Sequence, residues 1–119
     1  MSLLRLRLGQ KGERLAARFL RRQGYRILHR NWRCQAGEID LVCAEGDTLV
    51  FVEVKSRSAE DFLPAEAGVG FRKRAKLHRL ARYYMAVKSL EGVDWRVDAV
   101  AVAFSDGRRP ALRLLKGVL

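Results

Sequence analysis

A chain of 119 residues, 49% hydrophobic and 31% charged, is the size of one domain with a core of its own. Its net charge of +11 points to a polyanionic partner, most often nucleic acid. No run of 18 apolar residues is present, which excludes a membrane-spanning helix. Met1–Arg7 mixes Leu with Arg and lacks a signal peptide's continuous apolar stretch, so a cytoplasmic location without a membrane partner is expected.

In chain order, Gly9–Gln23 predicts a first helix, with Gly24 just past its end. At 100° per residue, Leu15, Ala16, Ala17, Phe19 and Leu20 form a broad apolar arc, and Arg14, Arg18, Arg21 and Arg22 cluster opposite it. Glu13 falls on the inward side, between Leu20 and Ala17. It is either an N-terminal charge complementing the helix dipole or an acid aimed at a site beside the core. Tyr25–Cys34 predicts a first strand, and Glu38–Cys43 and Leu49–Lys55 the second and third. Ser56–Gly70 reads as a loop with Pro64, Gly68 and Gly70, in a place where loops often cover a site.

Phe71–Ser89 predicts a second helix that buries Leu77, Leu80, Ala81, Tyr84 and Val87 and is closed by Gly92. Lys73 stands on its inward row at the N-terminus, the wrong sign for the dipole. Either an anion such as a DNA phosphate arrives there, or the ammonium snorkels into water. Trp95–Phe104 is apolar on both faces and reads as a central strand. Asp98 interrupts it, as a paired structural residue or as a site residue. Ala111–Leu115 predicts an edge strand. Cys34 and Cys43 have no metal-like spacing and read as small packing residues. His29 and His78 lack companion ligands. The order α-β-β-β-α-β(-β) describes a single α/β domain, 1–119, with a central mixed sheet flanked by helices.

The second and third strands hold the chemistry. If Gly46-Asp47 is a two-residue hairpin loop, residue i faces residue 93 minus i, and Asp40 stands opposite Glu53 with Cβ atoms roughly 5 Å apart. Alternation then puts Glu38, Asp40, Glu53 and Lys55 on one face, and Ile39, Leu41, Cys43, Val50, Val52 and Val54 on the other, as core. Two carboxylates so close repel and raise each other's pKa unless a cation lies between them. A hard divalent ion such as Mg²⁺ suits them, with Lys55 one pleat away to hold a phosphate or stabilise developing charge. An edge strand with solvated charges is the bland alternative. Glu38 is either an auxiliary acid or the partner of a nearby arginine.

Together, Gly12-Glu13 with Ala16-Ala17, Gly24-Tyr25, Asn31-Trp32-Arg33, Gly37-Glu38-Ile39-Asp40-Leu41, Phe51-Val52-Glu53-Val54-Lys55, Pro64-Ala65-Glu66-Ala67 and Val97-Asp98 resemble the PD-(D/E)xK nuclease superfamily, with its restriction-endonuclease-like fold. Within it, the chain is similar to the YraN-like family of small bacterial proteins, themselves similar to archaeal Holliday-junction resolvases. The segment Gly68-Val69-Gly70-Phe71-Arg72 departs from the more usual Thr-Pro. The resemblance implies phosphodiester hydrolysis dependent on Mg²⁺ or Mn²⁺. Asp40, Glu53 and the Val54 main-chain carbonyl match the metal ligands, Glu13 the helix-one acid that completes the site, and Lys55 the catalytic lysine. Lys73, Arg57 and Arg72 are the expected nucleic-acid contacts, with DNA the expected partner. Junction-cleaving relatives are symmetric dimers, so a homodimer is also expected, with Leu3, Leu4, Trp95, Leu114, Leu115, Val118 and Leu119 as candidate contacts. Some members bind nucleic acid with little proven cleavage, which leaves a non-catalytic binding protein as the alternative.

Overall fold

In the computed structural model the described residues are 3–58 and 71–117, with side chains described over 7–58 and 73–117. Of the expected loop Ser56–Gly70, residues 56–58 instead continue the third strand, and the remainder, the side chains of Leu3, Leu4 and Arg72, and Val118-Leu119 lie outside the described residues. Helix α1 spans Leu3–Arg22, followed by strands β1 (Arg26–Cys34), β2 (Gly37–Glu45) and β3 (Thr48–Ser58), helix α2 (Phe71–Val87), and strands β4 (Trp95–Phe104) and β5 (Ala111–Leu115). The order is the expected one, final strand included.

α1 starts six residues before the expected Gly9. Leu3-Leu4-Arg5-Leu6-Arg7-Leu8 is a run of good helix formers, strong enough to carry the helix through Gly9. Glu13 therefore lies in the third turn, and the first turn holds no acid. Its dipole role falls away with that start. At the other end Tyr25 N–H donates to Leu20 O at 2.9 Å and Gly24 N–H to Arg21 O at 3.1 Å. Gly24 takes φ 93°, so it is the left-handed closing residue of a Schellman cap. α2 closes in the same way two residues earlier than expected. Leu90 N–H donates to Met85 O at 2.8 Å and Ser89 N–H to Ala86 O at 3.2 Å, and Ser89, at φ 56°, does the work expected of Gly92. The inward row runs Leu77, Leu80, Ala81, Tyr84 and Met85, the i, i+3, i+4, i+7, i+8 pattern. Val87, expected on it, is 55% exposed.

The five strands form one sheet in the order β1-β2-β3-β4-β5. Neighbours are antiparallel except β3 and β4, which are parallel and joined across α2. The β2–β3 ladder runs from Glu45↔Thr48 to Leu41↔Val52, the register a Gly46-Asp47 turn dictates. One face packs Leu41, Cys43, Val50, Val52, Val100 and Val102 against Ala16, Ala17 and Leu20 of α1. The other packs Ile39, Val42, Phe51 and Val97 against Leu77, Leu80, Ala81 and Tyr84 of α2.

Three candidate dimer contacts are used inside the chain. Trp95 packs in the α2 cluster, with ring centroids 5.9 Å from Phe51 and 5.3 Å from His78, Leu114 packs beside the α1 cluster, and Leu115 is buried. Both thiols are free, Cys43 buried as the packing residue expected and Cys34 half-buried. Burial, then the Asp98 charge, pushes the Cys43 thiol up to about 12. Asp98 itself is fully buried and partnered. It accepts hydrogen bonds from Tyr25 OH at 2.9 Å, Arg96 Nε at 3.0 Å and Gly117 N–H at 2.8 Å. Those bonds give it the structural role.

Candidate metal centre

Two adjoining irregularities shape the site. The β2–β3 ladder stops at Leu41↔Val52. Ile39 packs with the α2 cluster while Leu41 packs with the α1 cluster, so the alternation expected to put both on one face breaks at Asp40. Across the sheet, β1–β2 pairing passes from Arg30↔Leu41 to Trp32↔Ile39 and skips Asn31 and Asp40. Asn31 takes φ 52° there, a left-handed conformation that Asn adopts more easily than most residues. Freed from the ladder, the Asp40 carboxylate accepts the Val54 N–H through Oδ2 at 2.8 Å.

α1 brings the next acid. A Cβ on Gly12 would collide with Ser56 Oγ, so only glycine lets the helix rest this closely on β3. That contact carries Glu13 to the sheet. Carboxylate oxygens of Glu13, Glu38 and Asp40 all lie within 4.8 Å of one another, the one such group among the described residues. Glu38 meets both expectations held for it, lying among these acids and standing 3.6 Å from Arg33 Nε. Glu53 takes the opposite side. It follows Phe51 onto the α2 face and forms an ion pair with Lys73. The single shared face expected for Glu38, Asp40 and Glu53 is corrected accordingly. Asp40 sits at the break between faces, where the charge of Glu53 still acts on it.

One open cleft of about 700 Å³ is nevertheless lined by Glu13, Asp40, Glu53, Val54, Lys55 and Arg57. The structure therefore brings together every expected site residue whose side chain is described, with Lys73 entering through Glu53. Among the expected residues, Arg72 alone falls outside the described side chains. The residue that sequence reading missed is Asn31, whose side chain hydrogen-bonds Glu13. An Asn inside a strand pattern is a turn-prone residue, and that was its signal.

The charges are strained as they stand. Burial, then the charge of Glu53, pushes the Asp40 carboxyl up to about 8 against the relief given by the Val54 N–H. Burial also raises Glu13, opposed by the bond from Asn31. Burial, then Lys73, lowers the Lys55 ammonium. For Lys73 burial acts downward, but its bonds to Glu53 and Lys55 outweigh it and the pKa rises. Three carboxylates this close, one of them driven toward its neutral form, make an all-oxygen donor set that fits a hard divalent cation.

Element order, mixed sheet and the placement of Glu13, Asp40, Glu53 and Lys55 define the restriction-endonuclease-like, PD-(D/E)xK class of protein. The chain belongs to the uncharacterised protein family UPF0102, the YraN family, which matches residues 12–102. It is 46% identical to a UPF0102 protein of Moorella thermoacetica over 98% of both chains. A Syntrophus aciditrophicus relative is 43% identical over 82% of this chain and 77% of its own. A Nocardia farcinica relative is 46% identical over 93% and 87%. Among solved structures, Pyrococcus furiosus SfsA in complex with Ca²⁺ aligns with 95% of this chain and 63% of its own at 16% identity and TM-score 0.43. No described helix is long and apolar enough to cross a membrane.

Proposed function

We propose that the chain is a metal-dependent endonuclease that hydrolyses phosphodiester bonds in DNA, with branched and junction DNA as its substrates and the cytoplasm as its location. The observation that carries this reading is the Glu13–Glu38–Asp40 cluster opening into the same cleft as Glu53 and Lys55. Mg²⁺ or Mn²⁺ would be held by Asp40, Glu13 and Glu38, with Glu53 and the Val54 carbonyl as the further donors the motif supplies. When bound, the ion supplies Lewis-acid polarisation of the phosphoryl group and lowers the pKa of water. Lys55 Nζ orients the attacking water and a phosphate oxygen, and burial, then Lys73, lowers its pKa in the direction a proton-accepting role needs. Arg57, Arg72 and the wider +11 charge hold the DNA backbone. A homodimer would present two such sites to the two strands of a junction.

One observation favours a second reading, a non-catalytic nucleic-acid-binding protein that retains the fold. Lys73 already occupies the Glu53 carboxylate. A panel of labelled single-stranded, duplex, flap and four-way-junction DNA with Mg²⁺ or Mn²⁺ separates the two. The nuclease reading expects cleavage that falls at least ~10²-fold in Asp40→Asn and Lys55→Ala while DNA binding survives. Undiminished cleavage by both variants sinks it, and binding without product on every substrate favours the second reading.

A further inference from the structure

A second concavity adjoins the metal cleft and shares one wall with it. It encloses about 250 Å³ and is lined by Gln10, Glu13, Arg14, Arg30, Asn31 and Leu41. Its origin is the skipped Asn31–Asp40 pairing described above. Where the β1–β2 ladder skips one pair and Asn31 takes φ 52°, the concavity lies between that strand and α1. Arg14 reaches it from the helix and Arg30 from the strand. Among the described residues neither guanidinium forms an ion pair, in contrast to Arg33 with Glu38 and Arg96 with Asp98.

We propose that this pocket is a phosphate subsite, in which Arg14 and Arg30 hold the nucleic-acid phosphate next to the scissile one. The inference rests on the nuclease reading for the identity of the neighbouring phosphate. Arg14 and Arg30, both exposed, line one small cavity; two like charges there repel each other until an anion joins them, and the planar fork of arginine suits phosphate oxygens. Gln10 and Asn31 add amide groups, and Leu41 gives an apolar floor suited to a sugar. Glu13 is the shared wall. Its carboxylate is engaged by the Asn31 side chain and belongs to the acid cluster on the far side, so the concavity carries two positive charges against one negative. A strand lying through both concavities passes over Glu13, with one phosphate among the acids and the next among the arginines. The pocket therefore fixes which bond is presented, a task that the acids alone do not perform.

The test is binding by Asp40→Asn protein to labelled DNA, read as affinity and as its dependence on salt. Arg14→Ala/Arg30→Ala on that background is expected to bind about 10- to 100-fold more weakly. Its log–log salt slope should be lower by about 0.7–0.9, the loss of one phosphate contact. Arg21→Ala/Arg22→Ala, at the far end of α1, is the control. Oligonucleotides carrying one uncharged methylphosphonate, walked along the strand, should reveal one position whose neutralisation weakens the parent protein but leaves the Arg14/Arg30 variant unaffected. Additive losses at every position, or an affinity loss no larger than the control's, overturn the subsite. Arg14→Lys/Arg30→Lys should keep the slope and lose part of the affinity. Cleavage by the otherwise wild-type chain is scored separately, so a cleavage failure beside a coupled methylphosphonate position removes the nuclease reading and leaves the phosphate pocket standing.

Discussion

Asp40 is the group on which burial and three neighbouring carboxylates act together, and its titration reports the state of the whole cluster. Its folded value of about 8 lies above the ordinary 3.8. Between those values the folded chain holds a proton that the unfolded chain has released. Its contribution to stability is complete below about pH 4 and is lost as pH rises through 8. Asn keeps an acceptor for the Val54 N–H without the charge. Cation-free Asp40→Asn should therefore be more stable than the wild type at pH 8, by on the order of 1–2 kcal/mol. The difference should vanish near pH 4, as read by chemical denaturation across that range. A divalent cation should stabilise the wild type at pH 8 and not the variant, because it replaces the missing proton with charge. Equal denaturation midpoints at both pH values would show that the cluster is not strained. Lys55 moves the opposite way, lowered by burial and by Lys73, so acid and base in the cleft approach one another in pKa, a common property of working sites.

At the scale of elements, Gly12 decides how closely α1 approaches β3. A methyl group there would strike Ser56 Oγ and stand 3.1 Å from Ser56 Cβ. Ser56 Oγ is itself buried without a hydrogen-bond partner among the described residues. Gly12→Ala should cost about 1–3 kcal/mol through overpacking and shift Glu13 off the sheet, so cation binding should weaken along with stability. Ser56→Ala removes the colliding oxygen and should restore part of both, and Ser56→Gly more, which titration calorimetry with Mg²⁺ and a thermal melt would read together. The elements themselves were legible because their signals are local. Gly24 marked a helix end, Gly46-Asp47 a hairpin turn with its register, and the apolar run Trp95–Phe104 a strand flanked on both sides. The breaks were not legible. Asn31 and Asp40 drop out of the ladder where Asn31 turns to φ 52°, and no periodicity in β1 or β2 encodes that. Glu53 accordingly kept the influence of its charge on Asp40 but not its expected face, and Glu38 stands both among the acids and beside Arg33.

Across the whole molecule, two polar clusters lie at opposite ends of the sheet and serve different ends. The acids Glu13, Glu38 and Asp40 gather near the start of β2. The second cluster gathers at the end of β2 and the start of β4, where Arg96 bridges Asp98 to Glu45 at 2.7 Å and Lys116 adds a contact to Glu45 at 3.0 Å. Tyr25 and the Gly117 N–H complete it, so it ties the turn after α1, the hairpin end and the exit of β5 together. Every oxygen of Asp98 is used, and no water-facing side is left to it. Removing one member of a buried, fully bonded set leaves the others unpaired, at a cost of about 3–5 kcal/mol. Asp98→Ala should therefore lower the denaturation midpoint more than any exposed substitution. Its Mg²⁺ affinity, measured on the folded fraction, should stay that of the wild type. Asp40→Asn should do the reverse, gaining stability at pH 8 and losing the cation. If Asp98→Ala also lost cation binding while still folded, the two clusters would be coupled through β3 and β4, and the assignment of Asp98 to structure alone would fail.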